Sequence, residues 1–485
     1  MQIAINFFDD LLEDDLSWFL AGGKENSYSK GECIVEENKP VDTINIVLEG
    51  TLGVFVSSLG NTQIASLGLG EVFGEMAFFE DEPASASIIC QEPVKLLEFS
   101  FNLIRQRIAS DQAFGSRFYR ALGCMLSRRL RKTTPEISVQ LKKQLLLESS
   151  DNPVWRSVTA CVRNLKNEFQ KLNQELISNK SVLSDKNIEQ VKFSFAGFVQ
   201  EIEDKIGDQS GTDTVLKDEI SAWLFQEMLP YILLSDTLQR AYTKPRGYAG
   251  DFVTLEKIYS QKSNSESELG TILDQCFYNL PPAIAVKNRK DLIKNEILEL
   301  VKRNSADGKV TKITALASGP AEEIFEAYQQ LEDKRMLLTT LIDNDLMALA
   351  HVADRRDRLR LKSQIELVNE SLIYMALGRS SVKLENQDFI YSMGLIDYFH
   401  DKHVIKLLNF SYKALSPGGA LMVGNFHTRN HAKAFLDYII EWKLVHRDEK
   451  DMDRIYQASL FKQPCTRILF EQEQVDMFAE CVRTD

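Results

Sequence analysis

The sequence has no long apolar run: nothing approaches the ~18 consecutive apolar residues of a membrane-spanning helix, so no span is expected. Its seven cysteines, at 33, 90, 124, 161, 276, 465 and 481, form no C-x-x-C pair and keep no regular spacing. That excludes a disulfide framework, and they read as small buried hydrophobes in a reduced compartment. Met1 to Phe8 lacks the basic start of a secretory signal, and Asp9, Asp10, Glu13, Asp14 and Asp15 follow at once, which points to the cytoplasm. His400 and His446 show no paired spacing for zinc, and no metal is expected. A net charge of -13 spread along the chain excludes the basic footprint of a nucleic-acid groove. The one basic run, Ser127-Arg128-Arg129-Leu130-Arg131-Lys132, reads as the cationic end of a helix.

What is present is a globular chain of 485 residues, 44% hydrophobic and 26% charged, long enough for about three domains. Short β-branched runs at Ile44–Leu48, Leu52–Val56 and Ile88–Leu97, punctuated by Gly31, Gly50, Gly60, Gly68 and Gly70, predict a small β-roll. Phe114, Phe118, Ala121, Leu122, Met125 and Leu126 then recur at helical spacing. Over residues 7–132 the sequence resembles the cyclic-nucleotide-binding domain family, most specifically at Gly70-Glu71-Val72-Phe73-Gly74-Glu75-Met76-Ala77 and Pro83-Ala84-Ser85-Ala86. The resemblance implies a backbone cradle for a cyclic phosphate at Gly74, ribose binding by Glu75, a small hydroxyl at Ser85 and a phosphate-neutralising arginine where this chain has Ala84. Without that cation, and with Glu80-Asp81-Glu82 beside it, the pocket is degenerate as a site for cAMP or cGMP. A ligand of another kind, or a purely structural or dimerising module, fits as well. The helix over 112–131 offers a stripe for a homodimer, or a cover for its own β-roll.

Residues 136–303 predict a helical domain. Leu141, Leu145, Leu146 and Leu147 open its packing face, and Val158, Val162, Leu165, Phe169, Phe195, Phe198, Val199 and Ile202 extend it. Ile220, Trp223, Leu224, Met228, Tyr231 and Leu234 supply another face, and Pro281-Pro282 is read as a break before a last helix over 290–303. Tyr242-Thr243-Lys244-Pro245-Arg246-Gly247-Tyr248-Ala249-Gly250-Asp251 is a shaped loop rather than helix surface.

Residues 305–485 alternate strand and helix, the pattern of a doubly wound α/β sheet that binds ligands at its carboxyl edge. The strands expected are Ile313–Ala317, Leu337–Ile342, Ile365–Val368, Phe389–Met393 and, after a Ser416-Pro417-Gly418-Gly419 turn, Ala420–Gly424. Ser318-Gly319-Pro320 ends the first and Asp343-Asn344-Asp345 the second, where a carboxylate can accept ribose hydroxyls. Ala317 and Ala321 stand where a dinucleotide site would use glycine, so a pyrophosphate fits poorly.

This segment resembles class I S-adenosylmethionine-dependent methyltransferases. Carried over, that implies Ser318, Gly319 and Pro320 beside the amino-acid portion of S-adenosylmethionine and Asp343, with Asn344 next to it, on the ribose. It also implies Gln387 and Asp388 near adenine, and a floor of Tyr391, Ser392 and Met393. With the Lys244–Asp251 loop, the whole chain resembles a bacterial family associated with extracellular-factor 3-hydroxypalmitic acid methyl ester biosynthesis. The fold expected is therefore a β-roll, a helical bundle and a Rossmann-like methyltransferase domain. The activity implied is methylation of a fatty-acid or small-molecule carboxylate; O- or N-methylation of another small molecule, and a catalytically vestigial regulatory or scaffold protein, are the alternatives. Arg246, Tyr248, His427 and Arg429, with Tyr391, are the candidate catalytic residues, and Arg246 or Arg429 could clamp the acceptor carboxylate.

Overall fold

The computed structural model describes residues 11, 15, 18–19, 22–56, 62–80, 83–123, 152–178, 183–371, 374–375, 380 and 382–484. The chain forms two compact units, Met1–Thr134 with Lys244–Tyr248, and Pro135–Thr243 with Ala249–Asp485. The basic run at 127–132, Cys124, Met125, Leu126 and Leu141–Leu147 lie outside the described residues.

In the first unit the glycine-punctuated runs become strands β1 (Lys24–Tyr28), β2 (Cys33–Val35), β3 (Thr43–Glu49), β4 (Leu52–Val56), β5 (Thr62–Leu67), β6 (Val72–Phe73), β7 (Ser87–Cys90) and β8 (Val94–Ser100). They make two four-stranded sheets, β1-β8-β3-β6 and β2-β7-β4-β5. Val35, Val47, Leu52, Phe73 and Leu96 form a core of alternating inward side chains. Two short helices, α1 (Glu75–Glu80) and α2 (Phe101–Ser110), follow β6 and β8, and the Ser100 side chain caps α2 by accepting from Leu103 N. Helical backbone resumes over 112–123. Phe114, Phe118, Ala121 and Leu122 are buried there, and Phe118 stacks on Phe19 and Phe114 at 5.8 and 5.7 Å between ring centres. Over these residues the stripe offered for a homodimer covers its own unit, its aromatic rings packed on Phe19 and on each other.

The second unit opens with helices α3 (Pro153–Ser178), α4 (Asp185–Ile206), α5 (Thr214–Ile232), α6 (Asp236–Thr243), α7 (Phe252–Ser260), α8 (Glu268–Tyr278) and α9 (Pro281–Ala306). Asp213, Asp251 and Ser267 cap α5, α7 and α8 through side-chain oxygens. Pro281-Pro282 does not break the chain before a helix at 290; it starts α9, since proline in the first turn lacks only a donor that would go unused. Nor does a border fall at 303–305. Ala283 and Val286 on α9 belong to the helical core, whereas Ile293, Ile297 and Val301 join the core of the sheet. Truncating Ile297 to alanine would open a void in that second core, costing about 2–5 kcal/mol.

The sheet comprises β9 (Thr311–Leu316), β10 (Leu337–Asp343), β11 (Ile365–Asn369), β12 (Gln387–Ser392), β13 (Leu415–Phe426), β14 (Arg467–Phe470) and β15 (Asp476–Val482). Its order is β11-β10-β9-β12-β13-β15-β14. The first five strands are parallel, and β15 runs antiparallel to both β13 and β14. The glycines at 418–419, expected as a turn, lie inside β13, where Gly418 N donates to Arg483 O at 2.8 Å. Helices α10 (Glu322–Gln330), α11 (Leu346–Arg358), α12 (Asp401–Ala414), α13 (Lys433–Tyr438) and α14 (Glu449–Ala458) complete the unit. Strand order reverses between β9 and β12, and such a switch point opens a crevice at the carboxyl ends of its strands.

Candidate functional site

The turn after β9 is held in an unusual conformation. Ala317, Gly319 and Ala321 all have left-handed backbone, with φ of 55°, 52° and 51°. Alanine there costs roughly 1–2 kcal/mol, so the two alanines that replace glycines carry strain of the kind found at binding turns. Asp343, at the end of β10, secures this turn: Oδ2 accepts from Gly319 N at 2.8 Å and Oδ1 from Asp345 N at 2.9 Å. Burial pushes the Asp343 carboxyl up to about 6, against those backbone donors. A Cβ on Gly319 would stand 3.4 Å from Leu255 Cδ1 of α7, so the helical segment covers the turn.

Three buried oxygens at this edge have no hydrogen-bond partner: Ser318 Oγ, Asn344 Oδ1 and Ser392 Oγ, at the ends of β9, β10 and β12. Buried polar atoms are seldom left so, and here three gather at adjacent strand ends. Pro320 and Met393 are buried beside them. The set Ser318, Gly319, Pro320, Asp343, Asn344, Ser392 and Met393 is thus brought to one edge.

Other expectations are corrected. Gln387 and Asp388 open β12 and lie at the amino edge, where Thr314 Oγ1 donates to Gln387 Oε1 at 2.9 Å and Asp388 pairs with Lys309 and accepts from Lys312 N at 2.9 Å. The segment that reaches the carboxyl edge after the third strand is Asn369-Glu370-Ser371. Asn369 Nδ2 donates to the carbonyls of Asp343 and Asn344, and Glu370 accepts from Ser371 N and Ser380 Oγ. An acid two residues after the strand Ile365–Val368 was the available signal. Tyr391 is no exposed floor: it is buried in the sheet core and donates to Glu323 Oε1 of α10 at 2.6 Å. Burial raises the Tyr391 hydroxyl well above its ordinary range and pushes the Glu323 carboxyl up to about 7.

His427 follows β13, but both ring nitrogens are engaged, Nε2 with Glu449 Oε2 at 3.1 Å and Nδ1 with Arg429 N at 3.0 Å. Arg429 donates to Glu449 Oε1 at 2.8 Å and lies over the Phe470 ring. The two residues therefore brace α14 rather than present a clamp. Arg246 and Tyr248 belong to the segment that clusters with the first unit, where Thr51 Oγ1 donates to Pro245 O at 3.1 Å and a Cβ on Gly68 would stand 2.5 Å from Gly247 Cα. The end of the same loop has a structural task. Asp251 caps α7 through Thr254 N and takes both Arg240 Nε and Nη2, at 3.1 and 2.5 Å.

In the first unit Gly70 and Gly74 have φ of 82° and 87°, and a Cβ on Gly74 would fall 2.2 Å from Thr43 O, so only glycine fits. Glu75 is buried next to it at the start of α1. Ala84 packs against the roll core and exchanges backbone bonds with its neighbours: its N donates to Lys39 O at 2.9 Å and its O accepts from Asn38 N at 2.8 Å. Ser85 is exposed. The glycine turn keeps the left-handed backbone expected of it, and position 84 carries no cation.

Among the described residues no cluster of histidine, cysteine, aspartate or glutamate could hold a metal, and no helix is long and apolar enough to cross a membrane.

Residues 25–111 match the family model of the cyclic nucleotide-binding domain. The cGMP-dependent protein kinase of Eimeria tenella is 31% identical over 109 residues, 22% of this chain and 11% of that protein, so the chain spans about a tenth of this relative's length. Among solved structures, a cyclic nucleotide-binding domain from Methylobacillus flagellatus shares 19% identity with a TM-score of 0.24, covering 31% of this chain and 88% of its own. A possible exported protein from Bordetella parapertussis shares 15% identity with a TM-score of 0.41, covering 63% of this chain and 100% of its own. The first unit thus carries a cyclic-nucleotide-binding-like domain, similar to part of a cGMP-dependent protein kinase. The comparisons overturn the assignment of the whole chain to a bacterial methyltransferase family: the homology found is to cyclic-nucleotide-binding domains, and none to methyltransferases was found.

Proposed function

We propose that the second unit binds S-adenosylmethionine and transfers its methyl group to the carboxylate of a small or fatty acid, in a chain whose first unit is a regulatory cyclic-nucleotide-binding-like domain. The observation that carries this is Asp343 bonded to Gly319 N at the switch point, ringed by unpartnered Ser318 Oγ, Asn344 Oδ1 and Ser392 Oγ. These residues fit an adenosyl ligand. Asp343 would take ribose hydroxyls, Ser318, Gly319 and Pro320 would border the amino-acid portion, and Ser392 and Met393 would face the reacting end. The parallel strands closed by an antiparallel pair suit the Rossmann-like domain expected from sequence.

When bound, S-adenosylmethionine supplies an electrophilic methyl group on sulfur. A carboxylate acceptor is already a nucleophile, so the chain's task is alignment and exclusion of water. Leu255 over Gly319 supports that second role. Calorimetric titration of the full chain with S-adenosylhomocysteine tests the reading, and no heat at about 1 mM ligand would overturn it.

A second reading, a regulatory or scaffold protein whose α/β unit is catalytically vestigial, has better support from the comparisons, since the homology lies in a regulatory domain. The occupied His427 and Arg429 also favour it. Binding of S-adenosylhomocysteine with no methylated product by mass spectrometry, across small and fatty acids, alcohols and amines, would select it.

A further inference from the structure

Four further buried polar atoms without a hydrogen-bond partner belong to residues in or next to the second unit's sheet: Arg289 Nε, Tyr259 Oη, Glu323 Oε2 and Asp476 Oδ1. Electrostatics link them as one cluster. Arg289 feels Asp476, Tyr259 and Asp397, and Tyr259 feels Arg289 and Glu323. The cluster reaches the carboxyl edge through Gly394, which follows β12 and the candidate site residues Ser392 and Met393. A Cβ on Gly394 would stand 3.1 Å from both Arg289 Nη1 and Nη2, so glycine there makes room for the guanidinium.

Arg289 is almost wholly buried, and among the described residues its one salt bridge is Nη1 to Asp476 Oδ2 at 3.0 Å. The other buried arginine of the unit makes a useful contrast. Arg447 spends its donors on Asp401, Asn425 and the carbonyls of Ile396 and Phe399, which leaves it a structural post. Arg289 keeps its Nε in hand, with the Tyr259 phenol in its field. An arginine fork with a neighbouring hydroxyl is the arrangement that receives a carboxylate.

We propose that Arg289 and Tyr259 form a buried carboxylate-receiving site beside the strand-end crevice. This rests on the adenosyl-ligand reading of that crevice. The carboxylate has two sources, the acceptor acid or the amino-acid portion of the adenosyl ligand itself.

Affinities of the full chain, wild type, Arg289→Gln and Tyr259→Phe, for S-adenosylhomocysteine, methylthioadenosine and octanoate separate them. Methylthioadenosine lacks the amino-acid carboxylate; octanoate is added to S-adenosylhomocysteine-loaded and to free protein. A loss of about tenfold or more in Arg289→Gln for S-adenosylhomocysteine, with methylthioadenosine unchanged, assigns the site to the adenosyl ligand. A similar loss for octanoate alone assigns it to the acceptor. Tyr259→Phe gives the same pattern with a smaller loss, and it leaves the Arg289–Asp476 pair in place. All three affinities unchanged, or all falling together, overturns the proposal. Wild type that binds neither nucleoside sinks the reading of the crevice. Octanoate binding to free protein, lost in the variants, would then still uphold the carboxylate site, and no octanoate binding would sink that too.

Discussion

Asp343 Oδ2 holds Gly319 N at 2.8 Å, so the carboxylate that ends one strand fixes the strained turn that ends its neighbour. In the proposed function the same carboxylate takes ribose hydroxyls. Asp343→Ala should weaken S-adenosylhomocysteine binding by about 1.5–3 kcal/mol, roughly 10- to 150-fold, in calorimetry. Because the ionised form is the acceptor and the carboxyl sits at about 6, wild-type affinity should fall as pH drops below 6. A flat affinity between pH 5 and 8, or an unchanged mutant, would remove Asp343 from the site.

Glu323 and Tyr391 supply a second test. Folding raises the Glu323 carboxyl from 4.5 to about 7 through burial, so the folded state holds its proton more tightly than the unfolded chain. That contribution is complete below pH 4.5 and is lost as pH rises through 7, a change of about 3 kcal/mol at most. In urea unfolding, wild type should lose stability relative to Glu323→Gln as pH rises from 4.5 to 7, with a constant difference above that. Tyr391→Phe, which removes the donor to Glu323, should cost about 1–3 kcal/mol at pH 7. Parallel pH profiles for wild type and Glu323→Gln would refute this.

His446 acts in the opposite direction. Burial lowers it from 6.5 to about 4, and the neutral ring is held between Leu444 O and Asn430 Nδ2, each at 3.1 Å. Its stabilisation is present above pH 6.5 and is lost as pH falls toward 4, again about 3 kcal/mol at most. Between pH 7 and 4.5, His446→Asn should therefore lose less stability than wild type. An equal acid slope in thermal or urea melts would exclude His446 as a cause.

The first unit should bind cAMP and cGMP weakly, because Ala84 offers no guanidinium where the cradle meets the phosphate. Loss of a charge-assisted phosphate contact forfeits about 2–5 kcal/mol, which would move a micromolar site to about 30 μM or weaker. Fluorescence titration of the full chain beside Ala84→Arg is the measurement. Submicromolar wild-type binding would refute it, and a gain confined to the variant would identify the missing charge.

The sequence alone determined what is local. Glycine punctuation and β-branching marked the roll, including the Gly70–Gly74 cradle whose φ angles only glycine takes comfortably. The 3.6-residue apolar period marked the helices, and strand–turn–helix alternation placed Ser318-Gly319-Pro320 and Asp343 at strand ends, because a strand's carboxyl end is readable from where its apolar run stops. The error at Gln387 and Asp388 has another root: the third strand's end is readable to within one residue, but the acid that follows it, Glu370, is passed over for polar residues at the start of the next strand.

Only tertiary structure decided which polar groups meet. Glu323 and Tyr391 are 68 residues apart and Arg289 and Asp476 are 187, separations over which no periodicity carries information. Tertiary packing also committed His427 and Arg429 to Glu449, and it set α9 across two cores. The reason is energetic: a buried charge must find a partner wherever the fold supplies one, and that partner's place in the chain is free.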